Sequence, residues 1–188
     1  MAGGTKTVGV IVGSNRRESI NRRLATALMG LAPPSMTMKL IEIGQLPLFN
    51  QDLEATPPAE WVRFKSELGS VDAVLFVSPE YNRGVPAALK NAIDIGSRPY
   101  GKSAWNGKPA AVVTASPSAM GGFGSNHALR QCLVFLNMPV LQQPEAYIGQ
   151  ADKLVDAGGQ ILKPESKEFF EKIMSAFAVW VERNVVKV

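Results

Sequence analysis

The chain of 188 residues contains one cysteine, Cys132, and one histidine, His127. A single cysteine excludes an internal disulfide, and these two side chains cannot supply the ligand set of a zinc site. No apolar run approaches the roughly 18 residues of a transmembrane helix, and residues 1–6 lack the apolar core of a signal peptide. We therefore expect a cytoplasmic protein with no metal site and no membrane contact, whose chemistry comes from other side chains or from a cofactor.

The excess of charge of one sign is also small. The chain has 20 Lys and Arg against 16 Asp and Glu, a net charge of +4, and 46% of its residues are hydrophobic. That apolar content excludes a mainly disordered chain. The densest basic cluster is only Arg16, Arg17, Arg22 and Arg23, so small anions are expected as partners and nucleic acid is not.

Apolar segments and helical spacing predict the elements of the fold. Strands are predicted at residues 7–12, 38–43, 73–78, 110–115 and 146–148. Between and after them, helices are predicted from about Ile20, over 59–70, from Pro86 as the first helical residue, over 126–136 and over 165–186. The last helix is expected to bury Phe169 and Trp180 among its apolar residues.

This alternation of strands and helices predicts the architecture. It indicates a doubly wound α/β fold with a parallel sheet and helices on both faces, formed as one domain over residues 1–188. Ligands of such folds bind beyond the carboxyl ends of the strands. The loops after Val12, Ser78 and Ala115 are therefore the candidate functional segments.

The loop at residues 13–21 joins the first strand to a helix N-terminus, where unpaired N–H groups favour an anion. Ser14, Ser19 and Asn21 add short side-chain donors, and Arg16 can form a charge-assisted pair with a phosphate. The spacing G-x-G-x-x-G of dinucleotide sites is absent, which favours a monophosphate. The alternative is that Ser19 only caps the helix and the arginines form a solvated face.

The loop at residues 78–86 follows the third strand and contains two prolines, which stiffen it. Gly84 permits a close approach of the backbone, while Tyr81 and Asn82 offer a flat ring and an amide. Such a loop can form a wall and supply hydrogen bonds for a planar heterocycle. The alternative is a turn around a buried tyrosine.

Two motifs in these loops resemble the NADPH-dependent FMN reductase family. They are Gly13-Ser14-x-Arg16-x-x-Ser19-x-Asn21-x-x-Leu24 and Pro79-Glu80-Tyr81-Asn82-x-x-x-Pro86-x-x-Leu89-Lys90-Asn91-Ala92-Ile93-Asp94. Within the family, the chain is most similar to bacterial quinone reductases that also reduce chromate, with azo-dye reductases as close relatives.

The resemblance implies a flavodoxin-like sheet of order 2-1-3-4-5 that holds one non-covalent FMN. It assigns the FMN phosphate to Ser14, Arg16, Ser19, Ile20 and Asn21. It assigns the isoalloxazine ring to Pro79, Glu80, Tyr81, Asn82 and Arg83. A third contact is implied in the loop after the fourth strand, at Ser116.

The resemblance also implies an activity, NAD(P)H:quinone oxidoreduction by hydride transfer through flavin N5 in a ping-pong scheme. NADPH or NADH is the implied donor, and quinones, chromate and azo dyes are the implied acceptors. No side chain is assigned as an acid, base or nucleophile, and a homodimer or homotetramer is implied. Two alternatives remain, a flavodoxin-type one-electron carrier, which is usually acidic unlike this chain, and a binding domain that has lost the cofactor.

Four other features are interpreted from their context. Residues 96–103 match the P-loop pattern G-x-x-x-x-G-K-S, but no strand precedes them and no helix follows, so a nucleotide triphosphatase is not expected. His127 is predicted to have a structural or capping role, and Cys132 to be a small core residue. Arg83 and Arg98 are candidates for the mouth of the pocket.

Overall fold

The computed structural model describes residues 4–185, which form alternating strands and helices. The strands are β1 (Lys6–Val12), β2 (Met36–Leu40), β3 (Ala73–Ser78), β4 (Ala110–Ala115) and β5 (Ala146–Ile148). The helices are α1 (Ile20–Gly30), α2 (Ala59–Gly69), α3 (Ala87–Gly96), α4 (Phe123–Phe135) and α5 (Pro164–Asn184), with short 3-10 helices at Gln51–Leu53 and Ala151–Lys153.

The five strands form one parallel sheet of order β2-β1-β3-β4-β5, which confirms the predicted fold class and strand order. All six residues of β3 and all six of β4 are buried, as expected for central strands covered on both faces. Their boundaries agree with the predicted strands 73–78 and 110–115. No helix in the described range is long and apolar enough to cross a bilayer.

Alternate strand residues point into two separate cores. On one face, Leu75 and Val77 of β3 pack in a cluster that includes Leu24 of α1 and Phe177 of α5. On the other face, residues such as Phe76 pack with apolar side chains of α2, α3 and α4. Helices therefore cover both faces, as the alternation of elements predicted, and the edge of the sheet at the strand ends is left for the loops.

The predicted position of β2, 38–43, is wrong at both ends. The strand begins at Met36, which pairs with Lys6 of β1, and ends at Leu40. Ile41 and Ile43 are buried beyond the strand end, in the same core as α2. Apolar residues that are buried in a loop have the same sequence pattern as strand residues. The predicted strand therefore lies too far toward the C-terminus.

Two helix N-termini also differ from the prediction. Helix α4 begins at Phe123 instead of 126, because Gly122 is its N-cap and has a left-handed backbone with a φ of 80°. Pro86 is the N-cap of α3 and not its first helical residue. Its ψ of 142° is extended, and its carbonyl accepts the first helical hydrogen bond, from the Lys90 N–H at 2.9 Å.

The burial pattern of α5 is also corrected. Phe170 is fully buried, whereas Phe169 and Trp180, which were predicted to be buried, are half-buried. Trp180 lies at the rim of the core, where its Nε1–H donates to the Pro139 carbonyl at 2.8 Å. The predicted end of this helix at residue 186 lies outside the described residues.

Helices α2 and α3 both end in glycine, and the two glycines provide a matched test of core packing. A Cβ on Gly96 would lie 2.6 Å from Cε2 of the fully buried Trp105, whereas a Cβ on Gly69 would meet nothing within 4 Å. We expect Gly96→Ala to lower the free energy of unfolding by about 2 kcal/mol, because overpacking moves the indole. Gly69→Ala should change it by less than about 1 kcal/mol. Urea unfolding of both variants measures the difference, and equal free energies would contradict this account of the Gly96 contact.

Candidate functional site

The ends of β1 and β3 approach each other so closely that only glycine fits between them. The Gly13 N–H donates to the Val77 carbonyl at 2.9 Å. A Cβ on Gly13 would lie 2.5 Å from Oγ of the buried Ser78. The loops after β1 and β3 therefore leave the sheet side by side, at the point where the strand order reverses, and a crevice opens between them.

The N-terminus of α1 forms one wall of this crevice. Ser19 is its N-cap, and the Arg22 N–H donates to Ser19 Oγ at 3.2 Å. The hydroxyl of Ser19 retains its own proton for donation, so the capping role does not exclude a ligand role. Ser14 is also buried, and its Oγ accepts from the Arg16 N–H at 3.4 Å. First-turn N–H groups, two hydroxyls and one arginine thus face the same space, a combination that suits an anion.

Asn21 lies behind this wall and contains an unpaired buried atom. Its Nδ2 donates to the Ala115 carbonyl at 3.3 Å, which links α1 to the end of β4. Its Oδ1 is buried and has no hydrogen-bond partner within residues 4–185. A buried acceptor without a donor costs about 1–3 kcal/mol. A hydroxyl or N–H group of a ligand at Asn21 would remove that cost.

The loop after β3 makes a two-residue hairpin turn. Tyr81 and Gly84 exchange backbone hydrogen bonds of 3.2 and 3.0 Å, and the two residues between them, Asn82 and Arg83, have left-handed φ angles of 51° and 65°. Tyr81 is 45% exposed. The alternative of a turn around a buried tyrosine is therefore wrong, since the ring is available as a wall.

Glu80 extends from this loop toward α4. Its Oε2 accepts from the Ser125 N–H at 3.0 Å, and its Oε1 lies 3.3 Å from Arg83 Nη1. The guanidinium of Arg83 is mostly solvent-exposed.

The loop after β4 closes the third side. The Ser116 N–H donates to the Ile148 carbonyl of β5 at 3.1 Å, and Ser116 Oγ lies 2.9 Å from Ser118 Oγ. These contacts hold the start of the loop at the sheet edge, next to Asn21.

The three loops enclose a cavity of about 220 Å³. Nine of the eleven residues that the sequence assigned to cofactor binding line it, and they are Ser14, Arg16, Ser19, Ile20, Asn21, Pro79, Glu80, Tyr81 and Ser116. The remaining two, Asn82 and Arg83, do not line the cavity and form the outer part of the turn. The structure therefore brings together residues from loops that are about one hundred positions apart in the chain.

A second crevice of about 390 Å³ adjoins the first and shares Ser14 and Arg16 with it. Here Arg22 forms a two-point ion pair with Glu42, with both distances 2.7 Å. The hydrogen bond from Arg22 lowers the pKa of the Glu42 carboxyl. Arg23 pairs with Glu18 at 2.8 Å, whereas Arg16 has no ion-pair partner among residues 4–185. Arg17 has no ion-pair partner among these residues either, but it does not line the cavity, so Arg16 is the unpaired arginine of this region that faces it.

A polar network between α4 and β4 was not predicted from the sequence. Asn126, which is fully buried, donates from Nδ2 to Thr114 Oγ1 at 3.3 Å, and Arg130 Nε donates to Asn126 Oδ1 at 2.8 Å. Arg130 also donates to the Leu141 carbonyl at 2.9 Å. The network fixes α4 against β4. An asparagine and an arginine four residues apart on a helix were the only sequence signal for it.

His127 lies on the surface and does not cap α4. Its ring packs on Phe123 with a centroid distance of 4.3 Å, and its Nε2 lies 3.0 Å from Tyr147 Oη. Burial raises the pKa of Tyr147, and the carboxylate of Glu145 raises it further. These contacts agree with the structural part of the prediction for His127.

The interpretation of Arg98 as a residue at the pocket mouth is wrong. Its Nε lies 2.6 Å from Glu54 Oε1, in a separate cavity that Trp61 also lines.

The exclusion of a P-loop is confirmed, because Gly96 ends α3 and no helix follows in residues 104–109. The part of the chain that the structure describes contains no cluster of three His, Cys, Asp or Glu side chains with metal-site geometry.

The chain is similar to several known proteins. The sequence model of the NADPH-dependent FMN reductase family matches residues 7–153. A quinone reductase of Pseudomonas putida is 57% identical over 179 residues, which cover 95% of this chain and 96% of that protein. A 2-hydroxy-1,4-benzoquinone reductase of a Burkholderia species is 39% identical, covering 93% and 95%. The solved structure of FerB, a flavoenzyme NAD(P)H:(acceptor) oxidoreductase from Paracoccus denitrificans, superposes with a TM-score of 0.91 at 38% identity, covering 97% and 100%.

Cys132 is half-buried on α4, in a different cavity from the strand-end site, and is predicted to be unreactive. Burial raises the pKa of its thiol, so less thiolate is present near neutral pH than in an exposed cysteine. We expect alkylation by iodoacetamide near neutral pH to be at least several-fold slower in the native protein than in the protein unfolded in urea. The difference should narrow as the pH rises through the raised pKa. Equal rates near neutral pH would contradict this prediction.

Proposed function

The chain belongs to the NADPH-dependent FMN reductase family, and we propose that it is an NAD(P)H:quinone oxidoreductase with a broad acceptor range. FMN is its cofactor and NAD(P)H its electron donor. The choice of quinones as acceptors is supported by two relatives that are named quinone reductase and 2-hydroxy-1,4-benzoquinone reductase.

The observation that carries the proposal is the fit between FMN and the cavity at the ends of β1, β3 and β4. FMN has a phosphate, a chain with hydroxyl groups and a planar ring. Ser14, Ser19 and Arg16 at the N-terminus of α1 suit the phosphate. The exposed ring of Tyr81 suits the planar group at the other side of the cavity.

Asn21 fits FMN in a different way from the one that the resemblance implied. A phosphate oxygen only accepts hydrogen bonds at neutral pH, and the unpaired atom of Asn21 is itself an acceptor. We therefore assign Asn21 Oδ1 to a hydroxyl group of the ribityl chain. Its Nδ2 remains on the Ala115 carbonyl and fixes the orientation of the amide.

The chain itself contributes binding and orientation. Bound FMN would supply the redox chemistry of hydride and electron transfer, while Ser14, Arg16, Ser19 and Tyr81 would hold and orient it. The first turn of α1 neutralises and anchors the anionic end, and the stiff Pro79–Pro86 segment fixes the plane of the ring. No side chain is needed as an acid, base or nucleophile, so the contribution of the protein is orientation of the reactants.

The open side of the cavity supports a broad acceptor range. The Tyr81 ring is half-exposed, and the residues of the turn beside it point outward. An acceptor that stacks on the exposed face of the flavin ring meets few side chains that could discriminate among quinones, azo dyes or chromate. Donor and acceptor then use the same place in turn, which gives a ping-pong scheme.

A homodimer or homotetramer is also part of the proposal. It is supported by apolar side chains that remain exposed, since Val134 and Phe135 on α4 are 74% and 84% exposed and Tyr100, after α3, is 87% exposed. A second copy of the chain is the occupant that this surface suits. A cytoplasmic location is supported by the need for NAD(P)H as a donor.

The first test is the visible spectrum of the purified holoprotein under anaerobic conditions. We expect flavin bands that bleach when NADPH or NADH is added alone and return when a benzoquinone follows, because each half-reaction proceeds without the other substrate. Parallel lines in initial-rate plots should accompany this result. Flavin bands that NAD(P)H leaves unchanged would favour a one-electron carrier instead, and intersecting lines would contradict the ping-pong scheme.

The second test compares two neighbouring arginines of the loop after β1. Both side chains are exposed, but Arg16 lines the cavity and Arg17 does not. Because Arg16 would lose a charge-assisted contact with the phosphate, we expect Arg16→Ala to raise the Kd for FMN by about 10- to 100-fold. Arg17→Ala should change it by less than about 3-fold, the range of surface substitutions. Flavin fluorescence titration of the apoproteins measures both constants, and similar values for the two variants would argue against the phosphate site.

A further inference from the structure

Helix α4 begins without a capping side chain of its own. Its N-cap is Gly122, which forms no side-chain hydrogen bond to the first turn. The missing acceptor is supplied from 45 residues away by Glu80, whose Oε2 accepts from the Ser125 N–H at 3.0 Å. A carboxylate at a helix N-terminus is stabilised by both this hydrogen bond and the helix dipole. The Glu80 side chain is only 13% exposed, which strengthens the interaction.

The second oxygen of Glu80 connects the same carboxylate to the hairpin turn. Its Oε1 lies 3.3 Å from Nη1 of Arg83. Asn82 and Arg83 both have left-handed backbones, a conformation that non-glycine residues adopt at a cost of about 1 kcal/mol or more each. A pair of such residues persists only when surrounding contacts hold the turn. Glu80 provides two contacts, one with the Arg83 side chain of the turn and one with the Ser125 N–H of α4.

Gly124 shows how closely α4 and the turn are packed. A Cβ on Gly124 would lie 2.9 Å from Glu80 Oε2 and 3.0 Å from the Arg83 carbonyl oxygen. Only a glycine at this helical position allows the turn to rest directly on the first turn of α4. The position of Tyr81, between Glu80 and the turn, is thereby tied to α4, and α4 is fixed to β4 through Asn126.

We propose that Glu80 is a positioning residue, whose carboxylate clamps the Tyr81 to Gly84 turn onto α4 and so holds the wall on which the flavin ring packs. The inference rests on the proposed function, since it assumes that FMN occupies the cavity. It also changes the role that the resemblance implied for Glu80, because both carboxylate oxygens already have partners within the protein, the Ser125 N–H and Arg83 Nη1.

The test uses full-length protein and compares Glu80→Ala with Glu54→Ala. Glu54 is a matched control, because it is also largely buried and paired with an arginine, Arg98, but lies in a separate cavity. Each apoprotein is titrated with FMN, and its melting temperature is measured without FMN. We expect Glu80→Ala to raise the Kd for FMN about 10-fold, the equivalent of one lost cap. Glu54→Ala should leave it within about 2-fold even where the melting temperature falls by a similar amount.

Two further variants separate positioning from a general loss of stability. Glu80→Gln keeps an oxygen that can accept from the Ser125 N–H, so it should restore FMN binding to within about 3-fold of the wild type. Gly124→Ala keeps Glu80 but pushes the turn away from α4, so it should weaken FMN binding as Glu80→Ala does. Gly124→Ala also provides the measurement if Glu80→Ala does not fold.

The possible outcomes separate the two hypotheses. If the wild-type protein binds FMN and either Glu80→Ala or Gly124→Ala binds it equally well, the positioning role is overturned while the proposed function remains. Equal weakening by Glu54→Ala would also overturn it, because the effect would then follow global stability. If the wild-type protein itself binds no FMN, the proposed function fails and this inference fails with it.

Discussion

The close approach of β1 and β3 at Gly13 and Ser78 is the constraint on which the candidate site depends. Because a Cβ at Gly13 would lie 2.5 Å from Ser78 Oγ, the two strands can meet only with glycine at this position. Their loops then diverge from nearly the same point, one toward the N-terminus of α1 and one toward α4. Residues that suit an anion and residues that form a flat wall thus become two sides of one cavity.

Net charge alone does not determine which arginine is open to an anion. The chain carries a charge of +4, yet several of its arginines are paired with a glutamate. Arg22 is held by Glu42, Arg83 contacts Glu80, and Arg98 contacts Glu54. Arg16 and Arg17 have no such partner among the described residues, and of these two only Arg16 lines the cavity. Local pairing and position, more than the total charge, therefore select the arginine that is open to a ligand.

The sequence predicted those parts of the structure that depend on local patterns. The strands β3 and β4 were located correctly, because six consecutive buried residues give an unmistakable apolar run. The position of β2 was wrong, since Ile41 and Ile43 are buried by a loop against α2. The loops of the site were identified from strand ends and motifs, and the family assignment from the same motifs is confirmed. The direction of Glu80 could not be predicted, because its partner Ser125 N–H is 45 residues away and a backbone donor leaves no trace in the sequence.

Rigidity of the wall and openness of the site are compatible because they come from different parts of the loop. The backbone of the turn is fixed by the Tyr81–Gly84 hydrogen bonds and by the contacts of Glu80. The Tyr81 ring and the Arg83 side chain extend outward from that backbone toward solvent. On the proposed function, a flavin ring packed on this wall would have one face covered and the other face accessible. The protein would then fix the orientation of the flavin, whereas planarity and electron affinity would decide which molecules stack on its open face.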